Sequence, residues 1–281
     1  MNRVKKIIGY EPGGYLGQNV CIAVLDTGIS PHPEFRGKVQ GFFDEVRGYG
    51  FPYDDNGHGS HVCGIIVGED IGIAPKSRLI VWKVLDEKGD GKIENVLNAI
   101  RWIVEYHRKY GIRIVNISAG MAKQTKAEDI ERLITGVELL WDEGIVVVAA
   151  AGNLGPKSGT ITAPGISKKI ITVGSFDDGQ KQYSGRGPTK ECVCKPDLVA
   201  PGSNILSCGA RGVGRSAPYV KKSGTSMSVP IVAGTIACML SKYSDMGNVE
   251  VKLRLRETCI DLGLPKNQQG WGILNMRGLM K

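Results

Sequence analysis

Ile145-Val146-Val147-Val148-Ala149-Ala150 carries no polar residue on either of its faces. A strand that reads this way is buried on both sides, as in a parallel sheet covered by helices. Val20 to Leu25, Leu79 to Leu85, Arg113 to Ser118 and Ile170 to Val173 read as further strands. Segments of helical spacing lie between them. Ile93, Val96, Leu97, Ile100, Ile103 and Val104 keep to one face, and Ile130 to Trp141 forms a second amphipathic stretch that Gly144 ends. Strands alternating with helices predict an α/β fold of three layers, a mostly parallel central sheet with helices on both faces. With 281 residues, 42% of them hydrophobic, the chain can bury one large core. No repeat, low-complexity tract or linker divides it, so one domain over 1–281 is expected, with 1–19 as a short N-terminal extension. Pro31 to Tyr53 reads as irregular, and the part from Asn248, with Leu253, Leu255 and Trp271, is expected to close the core.

The formal charge of +8 is spread along the chain, without the aromatic-interleaved basic patch that binds single strands, so no nucleic-acid partner is expected. No stretch approaches the length of a membrane span, and no apolar signal core follows Met1; Asn2 to Tyr10 is short and basic. Seven cysteines form no regular disulfide framework, and Cys21 and Cys238 sit in apolar runs, which suits a reducing cytoplasm. Cys192-Val193-Cys194 is a C-x-C pair, but no second pair lies at zinc-ligand spacing, and no metal or other cofactor is expected.

Polar residues capable of chemistry stand where the apolar segments begin or end. Asp26-Thr27-Gly28 follows the first strand, the edge at which α/β folds place functional groups, although an aspartate there can also cap a turn. His58 and His61 open a small-residue helix, Gly57-His58-Gly59-Ser60-His61-Val62-Cys63. A metal site of two His and Cys63 fits poorly, because Cys63 points away from the face the histidines share. The most apolar strand stops at Ala151-Gly152-Asn153, where an asparagine can serve as a turn residue in a left-handed backbone. Gly224-Thr225-Ser226-Met227-Ser228-Val229-Pro230 feeds an apolar helix, Ile231 to Leu240. Ser226 there is either an N-cap or a nucleophile beside the free N–H groups of a helix start, and a nucleophilic serine requires a base.

Ala23-Val24-Leu25-Asp26-Thr27-Gly28, then Gly57-His58-Gly59-Ser60-His61-Val62, then Gly224-Thr225-Ser226-Met227-Ser228-Val229-Pro230 resemble, in this order, the three motifs of the subtilisin-like serine proteases, the subtilases. The resemblance covers roughly residues 18 to 278 and implies a serine endopeptidase working through an acyl-enzyme. It implies Ser226 as nucleophile, His58 as base, Asp26 as its orienting acid and Asn153 as a donor to the oxyanion. It implies an extended peptide or protein substrate lying between two backbone edges, Ser118-Ala119-Gly120 and Gly89-Asp90-Gly91. Ala149, Ala150, Ala151 and Leu154 would line the adjoining pocket; with no acid along that wall, an apolar P1 residue is expected, and Asp90 would favour a basic residue farther out. Two features depart from the family pattern: Val229 and Ile231 flank Pro230, and the segment Val67 to Pro75 is short where many relatives carry a calcium-binding loop, so that site is expected to be absent. The short segment before the first strand suits the family's intracellular branch. A non-catalytic subtilase scaffold is the competing reading; a nucleotide-binding fold lacks its Gly-rich loop after Leu25, and a lipase-type motif would need glycine at Ser228.

Overall fold

The computed structural model describes residues 1–120, 125–191, 193–210 and 217–281. Cys192 therefore lies outside the described residues. In chain order the elements are α1 (Asn2–Ile7), β1 (Cys21–Asp26), β2 (Val39–Asp44), α2 (His58–Val67), β3 (Arg78–Lys83), α3 (Ile93–Tyr110), β4 (Ile112–Ile117), α4 (Ala127–Asp142), β5 (Val146–Ala150), β6 (Ile171–Ser175), β7 (Leu198–Ala200), β8 (Ile205–Cys208), β9 (Tyr219–Lys222), α5 (Thr225–Lys242) and α6 (Asn248–Thr258), followed by two four-residue helices.

Seven strands form one sheet in the order β2-β3-β1-β4-β5-β6-β7, every neighbouring pair parallel. The pair α2 and α5 packs on one face, and α3 with α4 covers the other, which gives the three layers expected from the apolar runs. Both faces of β1 and β5 are buried, and each fully buried Val or Ile contributes about 1.5–3 kcal/mol. The connection leaving β1 runs to one side of the sheet and the connection leaving β4 to the other. A crevice forms at the carboxyl ends of such a strand pair. Asp26 ends β1 and Ser118 follows β4, so the order of strands alone places both at that crevice.

α5 is buried on every side from Thr225 to Leu240, except at Ser226. A helix apolar all round belongs in the middle of a core. Pro230 lies inside it, and its missing N–H leaves the Ser226 carbonyl without its helical donor. Val229 and Ile231, the departures beside that proline, are fully buried packing residues.

Two expectations need correction. The segment 31–53 is not irregular throughout: Val39–Asp44 forms β2, an edge strand only half buried, whose Gln40 and Gly41 blur its apolar pattern. Leu253 does not close the core; it is half exposed, while Leu255 is fully buried and Trp271 packs against the core. The basic start of the chain is a helix, α1, that buries Val4, with Ile8 behind it accepting from Met276 N at 2.7 Å and Arg3 paired to Asp177 at 2.8 Å.

Candidate active site

Asp26 is fully buried at the end of β1. Its Oδ1 accepts from Thr27 N and lies 2.7 Å from His58 Nδ1. Its Oδ2 is buried without a hydrogen-bond partner among the described residues. Because Nδ1 faces a carboxylate, the imidazole proton belongs on Nδ1, which leaves Nε2 as an acceptor. Burial pushes the His58 pKa down, but the Asp26 charge and hydrogen bond push it up, Lys222 opposes them and Asp54 assists; the net direction is upward.

Glycine makes this junction possible. A Cβ on Gly59 would stand 2.1 Å from Gly28 O, and Gly28 itself has φ +116. The β1 end and the α2 start therefore touch backbone to backbone, a contact that only residues without a Cβ permit. Asp54 ties the two together. Its carboxylate accepts from Thr27 Oγ1, Asn56 N, Gly57 N, Ser60 N and Ser60 Oγ. Burial alone would raise the Asp54 pKa, and these donors hold it below the ordinary range.

His61, one turn after His58, behaves oppositely. Its Nε2 lies 3.0 Å from Ile205 O and 3.1 Å from Val220 O, beneath the β8–β9 hairpin. Burial chiefly, then the Lys222 charge, draws its pKa down to about 4, so it stays neutral and structural.

Ser226 is the second residue of α5, behind an N-cap that is Gly224, not Ser226. It is half buried, and its hydroxyl makes no hydrogen bond among the described residues. Asn153 stands exposed after β5, outside the left-handed region that a turn role would use. Its Oδ1 accepts from Thr225 N at 3.0 Å and Thr225 Oγ1 at 3.1 Å, which assigns the amide and leaves Nδ2 as the free donor. A Cβ on Gly224 would lie 3.3 Å from that Nδ2, so the amide reaches over the start of α5.

The structure thus bonds Asp26 to His58 and Asn153 to the residue before Ser226. α2 and α5, the helices that carry His58 and Ser226, pack on each other. Such a set can perform nucleophilic acyl transfer: a half-buried hydroxyl, an imidazole held in one tautomer, and a donor beside a helix N-terminus.

The two expected edges lie apart from these bonds. Gly89, Asp90 and Gly91 form an exposed turn in which Asp86 Oδ1 accepts from Lys88 N and Asp90 N. Ser118 is buried, its Oγ bonded to Asn116 Nδ2, and exposure rises through Ala119 to Gly120. Leu154 is exposed beside Asn153. Ala149, Ala150 and Ala151 show almost no surface; they pack in the core and back the site rather than presenting methyl groups to a ligand. The sequence reading missed Thr225 as the group that orients Asn153, and Thr27 and Asp54 as the ties around His58. The polar Asp54-Asp55-Asn56 run between apolar segments was the available signal for Asp54.

The subtilase family model matches residues 17–272 of the chain. The serine protease AprX of Bacillus subtilis (strain 168) is 38% identical over 269 residues, covering 85% of this chain and 61% of AprX. Subtilisin DY of Bacillus licheniformis is 33% identical over 271 residues, 94% of this chain and 91% of that protein. Among solved structures, a cold-adapted subtilisin-like serine proteinase superposes with a TM-score of 0.78 at 26% identity, over 94% of this chain and 90% of the other. Sphericase gives 0.78 at 28% identity, over 92% of each.

Proposed function

The chain belongs to the subtilase family of serine proteases, and we propose that it is an endopeptidase whose nucleophile is Ser226. Ser226 Oγ attacks the peptide carbonyl as His58 Nε2 takes its proton. Asp26 holds the imidazole tautomer and stabilises the imidazolium. The tetrahedral oxyanion receives Asn153 Nδ2 and the Ser226 N–H, at a helix start where free N–H groups favour negative charge. His58 returns the proton to the leaving amine, and water then hydrolyses the acyl-enzyme through the same base. The observation that carries this reading is the 2.7 Å bond between buried Asp26 and His58, which leaves Nε2 free to accept.

The substrate is an extended peptide between the Gly89–Gly91 turn and the Ser118–Gly120 edge, with an apolar residue before the scissile bond beside Leu154. Asp90 favours a basic residue farther along. The six described cysteines are all unpaired, which supports a cytoplasmic setting. No described helix is long and apolar enough to cross a membrane. The test is peptide cleavage by Ser226→Ala, which is expected to fall by about 10⁶ in kcat, to the residual rate that oxyanion donors and binding supply, while the fold persists. Full cleavage by that variant overturns the assignment.

A further inference from the structure

Lys83 is fully buried at the end of β3, directly beside Asp26 in the sheet register. A buried ammonium is tolerated only where several acceptors surround it. Its Nζ donates to Thr27 O at 2.7 Å, Asp55 Oδ1 at 2.7 Å and Leu85 O at 2.9 Å, and it lies 5.0 Å from the centre of the Tyr53 ring. These partners come from three segments: the strand end after Asp26, the loop before His58, and the start of the loop to Gly89. Thr27 is also the residue whose N–H fixes Asp26 Oδ1, the oxygen that faces His58 Nδ1. Asp55 adjoins Asp54, which organises the first turn of α2.

We propose that Lys83 is the positioning residue of the proposed active site, clamping the Asp26 strand end to the His58 loop and supplying the buried cation that balances the carboxylates there. This rests on the Asp26–His58–Ser226 reading. The charges acting on His58 are Asp26 on β1, Lys222 on β9 and Asp54 before α2; Lys83 on β3 is in register with Asp26, its partner Asp55 adjoins Asp54, and His61 on α2 is neutral. Asp26 and Asp54 are buried and the Asp55 side chain is a quarter exposed; of the three, Asp55 is the one Lys83 bonds, while Asp26 is its neighbour in the sheet register. Arg47 reaches Asp55 from the surface at 3.5 Å.

Lys83→Met removes one positive charge and the clamp. It is expected to lower kcat by about 10- to 100-fold, the scale of a small misplacement of reacting groups, with KM little changed. The acid limb of its kcat/KM profile moves to higher pH, because His58 then binds its proton more tightly. Asp55→Asn removes one negative charge from the same clamp, and its acid limb moves to lower pH. Opposite shifts support the proposal; packing damage alone would leave the limb in place or move both variants alike. A wild-type limb in both variants, or shifts of the same sign, overturns it. If Lys83→Met does not fold, the direction of the Asp55→Asn shift decides. Fluorophosphonate labelling of wild-type protein separates the two readings: a wild type unlabelled at Ser226 defeats the catalytic assignment, whereas labelling with unmoved limbs defeats only the role of Lys83.

Discussion

Two buried lysine centres carry opposite charge imbalances. Beside the proposed active site, Lys83 bonds Asp55 and stands in register with Asp26, and Asp54 adjoins Asp55 in the chain. Near β6 and β7, Asp197 faces two lysines. Lys195 is fully buried and donates to Asp197 Oδ2 at 2.5 Å and to Ile170 O at 3.0 Å. Lys252 donates to Lys168 O, Lys169 O and Ile170 O at 3.1, 2.7 and 3.0 Å, and stands 3.7 Å from Asp197 Oδ1. In the first centre, excess negative charge lies beside a titrating imidazole and raises its proton affinity. In the second, excess positive charge is absorbed by carbonyls and holds the turn that leads into β6. Similar components thus stand beside the proposed general base in one place and hold the architecture in the other.

The largest contrast comes from removing a lysine at the architectural centre. Lys195→Met leaves the Asp197 carboxylate short of its closest cation, and breaking a buried pair this way costs about 3–5 kcal/mol. Urea unfolding would show the loss, while the labelling rate of the folded fraction stays at the wild-type value; a slowed rate would erase the distinction between the centres.

Stability against pH sharpens the comparison, with smaller effects of opposite sign. The His58 pKa is raised on folding, so its contribution is fully present below about 6.5 and is lost as pH rises through the folded value. Burial, outweighing Asp197, draws Lys252 down to about 8 from 10.5. The unfolded chain then binds the extra proton between those values, so this group's contribution rises with pH across that window. Thermal melts should show Asp26→Asn flattening the slope above pH 6.5, and Lys252→Met flattening the alkaline one. The smallest effect belongs to Tyr53→Leu, which removes the ring beneath Lys83 and costs about 0.5–2 kcal/mol in stability, with kcat unchanged. A large kcat loss there would make the ring part of the positioning.

Much of the site was legible because its chemistry sits in short contiguous segments. Asp26 ends an apolar run, His58 stands between glycines, and Ser226 opens a buried helix. The sheet was legible for a related reason: β1, β3, β4, β5 and β6 are buried on both faces and read as apolar runs. β2 was not, because an edge strand holding Gln40 and Gly41 gives no such run. Lys83 was read as part of the strand Leu79 to Leu85; nothing local reveals that its ammonium meets Thr27 and Asp55 across the sheet. Thr225 was visible within its motif, but its bond to Asn153 spans 72 residues. Leu253 shows the converse, an apolar residue on a helix whose buried face is carried by Val251 and Leu255.

The rate at which a fluorophosphonate modifies Ser226, followed against pH in wild type and in Asp26→Asn, tests the coupling of the three side chains most directly. The account predicts an adduct on Ser226 that forms faster as pH rises through one ionisation above 6.5, and a loss of about 10⁴ in rate for Asp26→Asn, where the imidazole tautomer is no longer held. Equal rates in the two proteins, or an adduct on another residue, would contradict it.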